Sequence, residues 1–565
     1  MDGSAAEECT GPRGLRETAP ADLVGLLAVV GAGLLPLVVV DAFYYGAWAP
    51  KAALCLVLLF PGLVVLARLV VGGSRPALLA TAFLATAAVS TALSDRPTLS
   101  LTGAANWGTG WLFLATLAAA WTLGTFAGDR RRRQLLMAIV AAAVVNAAVA
   151  WAQVRVGGGA GDRTRGLMGN AVFLGGLVAG GLWLLGRRFG AERRSWWWLP
   201  AIALVAGAAQ LSGGRAAVAL AAGAALASLR GAGWARGTAL LAAVAVGVTL
   251  APLGAPGSVL GSDRARQAAV AARTDTRFAV WRISAGAVAE HPLVGWGPGR
   301  FPAATGPRYD AVAAQEGGVL KDAHNWVVES AVTTGLVGLA LLLAWLGAAA
   351  WGARGPLAGF ALVVAASSLI QPMNVALTPM AMLALGASGG GRDPGDEGLG
   401  RRWGTAVVLA LGVGLAAAGV LLVGQASLQR GLQEDSPRLV QRANALSPPW
   451  PEVAGLVAGV EADRELNEGG QHRRRTLELA RQAVRRDPAD PAQWAELGYV
   501  ELAWGSNEGA STAFRRALEA NPWDVESLVG RVTLARRLGD QAILTESCRR
   551  LRILGVAQSG CPARP

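Results

Sequence analysis

The sequence predicts an all-α protein: a polytopic transmembrane helical bundle of about 12–13 spans, followed by a C-terminal α-helical repeat domain. Three observations carry that expectation. Hydrophobic residues make up 53% of the 565 residues and charged residues only 16%. The apolar residues fall in long uncharged runs, such as Ala406 to Val423, close to the ~20 residues that cross a bilayer core. Beyond Gln425 those runs stop, and a pattern with an offset of 34 residues replaces them.

Thirteen stretches are read as spans, at about 22–40, 51–72, 77–93, 107–127, 134–152, 170–186, 196–212, 214–229, 235–253, 326–350, 355–371, 374–389 and 404–424. Several are short and rich in Ala and Gly. Small side chains let helices approach closely in lipid, which suits a compact bundle. Helices apolar on every side are rare in soluble proteins. The first run opens near Asp22 without a cleavage pattern and is followed by more spans, so it is expected to stay as a first helix.

Arginine sets the expected orientation. With the N-terminus in the cytoplasm, Arg13 and Arg16, Arg68 and Arg75, Arg130 to Arg133, Arg187 to Arg194, Arg230 and Arg236, Arg354, and Arg401 with Arg402 all fall inside. The loop with Arg155, Arg163 and Arg165 is the exception. The expected organisation is a cytoplasmic tail (1–21), a transmembrane domain (22–424) with a large external loop (254–325), and an external helical domain (425–565) in the plasma (inner) membrane.

In the tail, Ala483 to Pro488 (AVRRDP) recurs as Ala517 to Pro522 (ALEANP), with a weaker copy at Ala443 to Pro448. Trp494, Gly498 and Tyr499 fall where a first repeat helix carries W-x3-G-Y. This resembles tetratricopeptide repeats over about residues 437–545. Such repeats bind peptides or neighbouring proteins on a concave face, or else brace the membrane domain. The net charge of +13 is not a nucleic-acid signal, because the tail from Gln425 holds 19 arginines against 18 acids and the excess lies in the membrane half. The cysteines (Cys9, Cys55, Cys548, Cys561) form no metal-ligand pattern. Cys548 and Cys561 either pair in an oxidising compartment or stay as two thiols.

Three histidines exist, at 291, 324 and 472. His472 lies in a charged loop, and His291 precedes Pro292 at a helix end. His324 stands at the outer edge of the tenth span in Asp322-Ala323-His324-Asn325-Trp326. A helix N-terminus disfavours imidazolium, which keeps the ring able to accept a proton. The alternative is an interfacial histidine anchoring the helix beside Trp326. Upstream, residues 264–290 read as an amphipathic helix with Arg273, Arg277 and Trp281 on one face. That face suits a diphosphate clamp, with Trp281 against a sugar ring or under an arginine, or is an ordinary solvated face. Gly295, Gly297 and Gly299 would let backbone amides approach a ligand. Arg215 lies between two spans with almost no loop, so it is either functional or snorkels to the interface.

Together these pieces resemble the O-antigen ligase and polymerase family of membrane glycosyltransferases. The H-N-x9-G-x2-G motif is matched at His324, Asn325, Gly335 and Gly338, and R-x3-W and H-P-L-x-G-x-G at Arg277, Trp281 and His291 to Gly297. The S-R-[GA] stretch is altered to Ser212-Gly213-Gly214-Arg215-Ala216, and R-x-G…G-N is approximate at Arg165 to Asn170. The resemblance covers about residues 20–390. It implies a glycan donor on a polyprenyl (undecaprenyl) diphosphate, a hydroxyl acceptor on glycan, lipid or protein, inversion at the anomeric carbon, and no metal or cofactor. His324, Arg215 and Arg277 are the expected catalytic residues. Arg165, Asn170, Arg273, Trp281, Gly295, Gly297, Asn325, Gly335 and Gly338 are the expected substrate-binding residues, and the repeat tail is expected to meet an envelope protein partner or the acceptor.

Two other classes fit the same composition. A flippase of lipid-linked sugars would be polytopic too, but the spans show no repeated halves. A membrane-anchored scaffold acting through its repeats would leave His324 and the arginines dispensable.

Overall fold

The computed structural model describes residues 13–104, 109–156, 163–191, 196–229, 233–251, 276–317, 321–389, 399–468, 473–558 and 560–561. The expectations for the N-terminal tail to residue 12, for residues 252–275 including Arg273, and for His472 lie outside them. Among the described residues, regular structure is helical apart from one isolated bridge, Ala353 with Gly389.

The membrane half contains α1 (Arg13–Leu34), α2 (Ala49–Val71), α3 (Arg75–Leu93), α4 (Pro97–Thr102), α5 (Trp111–Thr125), α6 (Asp129–Arg155), α7 (Ala171–Ala191), α8 (Leu199–Leu211), α9 (Arg215–Ser228) and α10 (Trp234–Leu250). The large loop contributes α11 (Thr276–Glu290), α12 (Phe301–Thr305) and α13 (Ala311–Gly317). It returns to the bundle through α14 (Trp326–Trp351), α15 (Gly355–Ser367), α16 (Leu377–Ser388) and α17 (Arg401–Gln433). By length and composition α2, α3, α6, α7, α14 and α17 can each cross a membrane, and seven shorter apolar helices accompany them. The protein is a multi-pass membrane protein, and each of the thirteen apolar stretches read from the sequence falls on one of these helices.

Small residues draw the helices together, as lipid-embedded bundles require. Where α5 crosses α16, a Cβ on Gly124 would strike the Leu383 carbonyl, and a Cβ on Gly386 would strike the Trp121 carbonyl. On α14, Trp345 is fully buried, stacks on Phe83 of α3 at 6.0 Å and meets Trp121 of α5 edge-on.

Helix α17 has 33 residues, roughly 50 Å at 1.5 Å per residue, so it outlasts a bilayer core and runs unbroken past residue 425. There it meets α18 (Pro437–Leu446) and α19 (Pro451–Glu468). They are followed by α20 (Arg473–Arg486), α21 (Pro491–Ala503), α22 (Asn507–Ala520), α23 (Val525–Leu538) and α24 (Gln541–Ile553). Helix α22 begins and ends 34 residues after α20. The fully buried Phe514 ring lies between Gly498 and Gly530, where any Cβ would strike it, which is why the pattern needs glycine there. Cys548 and Cys561 form a disulfide beside the last helix, and Cys55 is a buried free thiol.

Among the contacts that join the helical tail to the membrane half is one buried guanidinium, beside an apolar cluster in which Trp450 meets Trp48 edge-on. Arg300, 3% exposed, donates through Nε and Nη2 to Asp95 at 2.9 and 2.7 Å, and through Nη1 and Nη2 to Asp487 at 2.8 and 3.0 Å. Asp95 belongs to the α3–α4 connection and Asp487 to the α20–α21 connection, so three distant segments share one guanidinium. Burial works against the cation, but Asp487 and then Asp95 outweigh it and raise the Arg300 pKa. Trp523 adds a hydrogen bond to the Tyr309 carbonyl at 3.2 Å.

Arg300→Ala leaves Asp95 and Asp487 facing each other without their cation. Breaking a buried pair costs about 3–5 kcal/mol, so the variant should release the tail to limited proteolysis well below the melting temperature of the parent. At the first turn of α19, Glu452 Oε2 is buried without a partner. Burial, followed by the nearby Asp490, pushes its pKa up to about 7. The carboxyl is therefore neutral in the folded chain near and below pH 7, and that contribution is lost as pH rises through about 7. Thermal melts should show stability falling from pH 4.5 to about pH 7 and levelling off above it, with the slope reduced in Glu452→Gln.

Candidate functional site

His324 lies two residues before α14, and its backbone is held at φ +50°, a left-handed conformation that costs a non-glycine residue about 1–3 kcal/mol. Neighbouring groups over-determine it. Asn325 caps α14, its Oδ1 accepting from the N–H groups of Val327 and Val328 at 2.9 and 3.2 Å. The buried Ala323 is gripped at both ends of its backbone. Its N–H donates to Glu329 Oε2 at 2.9 Å, and its carbonyl accepts from Trp281 Nε1 at 2.9 Å. Asp322 Oδ1 accepts from the His324 N–H at 2.8 Å and lies 2.6 Å from His324 Nδ1. The imidazole keeps a quarter of its surface exposed, while the Asp322 carboxylate is buried.

The Trp281 indole N–H ties α11 to the His324 turn, and its ring meets Phe278 edge-on. Arg277, one turn earlier on the same helix, is half-buried and already engaged within the chain.

Gly295 and Gly297 correct the sequence expectation. The Trp296 and Gly297 N–H groups donate to the Val332 and Thr333 carbonyls at 3.0 and 2.9 Å, and the Gly295 N–H donates to the His291 carbonyl at 3.0 Å. These amides serve the fold and are not open to a ligand. The counterpart is Gly335, where α14 breaks at φ +70° and the Leu336 N–H turns to the Pro292 carbonyl at 2.8 Å. Any Cβ at Gly335 would strike the Leu293 carbonyl, and one at Gly295 would strike the α14 backbone. Gly338 packs against Thr334 of its own helix. The motif glycines therefore dock the large loop onto a broken helix.

Arg165 and Asn170 lie on a second wall. Arg165 is exposed, and its N–H and that of Gly166 are held by Gln153 Oε1. Asn170 Oδ1 accepts from the Val172 N–H at the start of α7. The turn before α9 joins this wall through a hydrogen bond from the Thr164 N–H to the Leu211 carbonyl at 3.3 Å. Arg215 opens α9, and its side chain lies outside the described structure. The α15–α16 connection bridges the two walls. The Ser368 carbonyl accepts from the Trp326 N–H at 3.0 Å, and Asn374 shares a small polar cavity with Asn170 and Lys51.

An apolar cavity of about 370 Å³ runs between α5, α14, α15 and α16. Trp326, two residues after His324, lines it along with Trp345, Ala358, Met373, Thr378 and Met382.

Sequence reasoning missed Glu329, Lys51 and Arg300, and gave Asp322 no role. Lys51 is buried and donates to the Val38, Ala47 and Leu167 carbonyls at 2.8, 2.8 and 3.0 Å, tying the α1–α2 loop to the Arg165 loop. A lone lysine opening an apolar run was its signal. Arg300 had none, because its partners are 205 and 187 residues away.

The fold and this turn define a multi-pass helical membrane protein with a histidine at the end of a broken span and an apolar cavity lined by Trp326, two residues further on. Residues 161–343 match the model of the O-antigen ligase family, so the chain carries an O-antigen ligase domain with a membrane glycan-transferring, ligase-type function. No curated protein matches the chain.

Gly335→Ala should lose at least about 2 kcal/mol, from left-handed strain plus the clash with the Leu293 carbonyl. Gly347→Ala, in the same helix with nothing near its Cβ position, should be neutral. Melting temperatures of the two variants in the same detergent check the contrast.

Proposed function

We propose that this protein transfers a glycan from a polyprenyl diphosphate donor to an acceptor hydroxyl at the outer face of the plasma membrane, with inversion at the anomeric carbon. The observation that carries the reading is the join between His324 and the apolar cavity that begins at Trp326. An isoprenoid chain in that cavity would bring its diphosphate and sugar to the histidine.

In this reading His324 takes the proton of the acceptor hydroxyl as its oxygen attacks the anomeric carbon. The bond from that carbon to the diphosphate oxygen breaks, and the diphosphate leaves with the electron pair. Arg277 and Arg215, with Arg165 and Arg273, supply the positive charge that the leaving group needs. No metal is required for that role. The disulfide between Cys548 and Cys561 supports an oxidising, external location for the helical tail. There it would sit on the same side as His324, where it could present an acceptor or meet an envelope protein partner.

Purified protein, a polyprenyl-diphosphate-linked glycan and an acceptor extract test the reading. His324→Ala should lose transfer by about 10²–10⁴-fold, the usual contribution of a general base, at unchanged protein level. Arg277→Ala should weaken donor binding. Full transfer by His324→Ala would overturn the assignment.

A further inference from the structure

We propose that Asp322 is the positioning residue that makes His324 an effective base, holding Nδ1 so that Nε2 is left for the acceptor hydroxyl. This deepens the function proposed above and rests on it.

The same carboxylate oxygen does two things. It accepts the His324 backbone N–H at 2.8 Å and lies 2.6 Å from the ring Nδ1. The ring is thereby fixed relative to its own main chain. The approach to Nδ1 lies off the N–H axis, so its strength is chiefly electrostatic. Ala323 between them cannot shift, because Glu329 holds its N–H and Trp281 its carbonyl. The left-handed backbone at His324 persists because these bonds outweigh its strain. Such redundancy at this loop-to-helix junction is more than capping α14 needs, since Asn325 does that alone.

The chemistry follows from the ring's two nitrogens. A carboxylate beside Nδ1 favours the tautomer protonated there, which leaves the Nε2 lone pair free to accept a proton. When the acceptor hydroxyl gives its proton to Nε2, the imidazolium charge forms against Asp322, and the departing diphosphate carries the electron pair away. Among the described residues, the titratable groups that face this turn include Glu329 from α14 and Lys321 on the same loop. From the helical tail, Glu452 and Asp490 act electrostatically on Lys321.

Asp322→Asn separates this role from a structural one. Asparagine Oδ1 can still accept the His324 N–H and face Nδ1, but it carries no negative charge to stabilise the imidazolium that forms. In purified full-length protein, with kcat and KM for the lipid-linked donor measured from about pH 5 to pH 9, the variant should keep KM. Its kcat should fall about 10–100-fold, within the ~10²–10⁴ that a base contributes. The acidic limb of its rate profile should move to lower pH, because no carboxylate stabilises the imidazolium. Asp322→Glu should recover part of the rate. Unchanged kcat per folded molecule and an unmoved limb in Asp322→Asn, beside an inactive His324→Gln, would overturn the role of Asp322 alone. Full activity in His324→Gln would instead remove the base on which it rests.

Discussion

The break in α14 at Gly335 is the constraint on which the rest of the site depends. A continuous helix there would close its own hydrogen-bond ladder and leave the large loop with nothing to pair against. Because the helix opens, Val332 and Thr333 offer carbonyls to Trp296 and Gly297, and Leu336 offers its N–H to Pro292. That exchange is backbone to backbone, so it fixes the loop tightly. It also explains the facing glycines, since Gly295 and Gly335 each occupy space that any Cβ would fill.

Everything upstream of His324 is then referenced to that seam. Once the 291–299 strap is docked, Trp296 reaches back to the Ala287 carbonyl at 2.9 Å and aligns α11. Helix α11 brings Trp281 to Ala323, and Ala323 sets the turn that presents His324. A shift of α11 would be felt at the histidine through two hydrogen bonds. The Arg300 clamp extends the same rigidity to the helical tail, because Arg300 follows the strap directly and reaches both Asp95 and Asp487.

The cavity beside Trp326 adds the second half of the arrangement. Apolar walls suit a lipid chain, whereas the turn at His324 is polar and partly open. In the proposed reading, a substrate divided into a lipid and a polar glycan would straddle that boundary.

Much was legible in the sequence. Uninterrupted apolar runs fixed the spans, because a bilayer imposes their length whatever they pack against. The 34-residue offset marked the helical tail, because Ala483 to Pro488 and Ala517 to Pro522 close two helices of equal length. His324 stood out because histidine is scarce and it abuts a span. The docking role of Gly295 and Gly297 was not legible, nor was the bond from Trp281 to Ala323. A glycine-rich loop reads as a ligand cradle until its amides are seen to bond α14. Asp322 was in plain view beside His324, yet only the left-handed turn brings its carboxylate onto Nδ1. Arg300 depends on partners about two hundred residues away in both directions. The sequence by itself determined what is apolar, what repeats and which titratable residue is rare, because those follow from local composition. Only the tertiary structure decided which polar groups satisfy one another, because that depends on contacts between segments far apart in the chain.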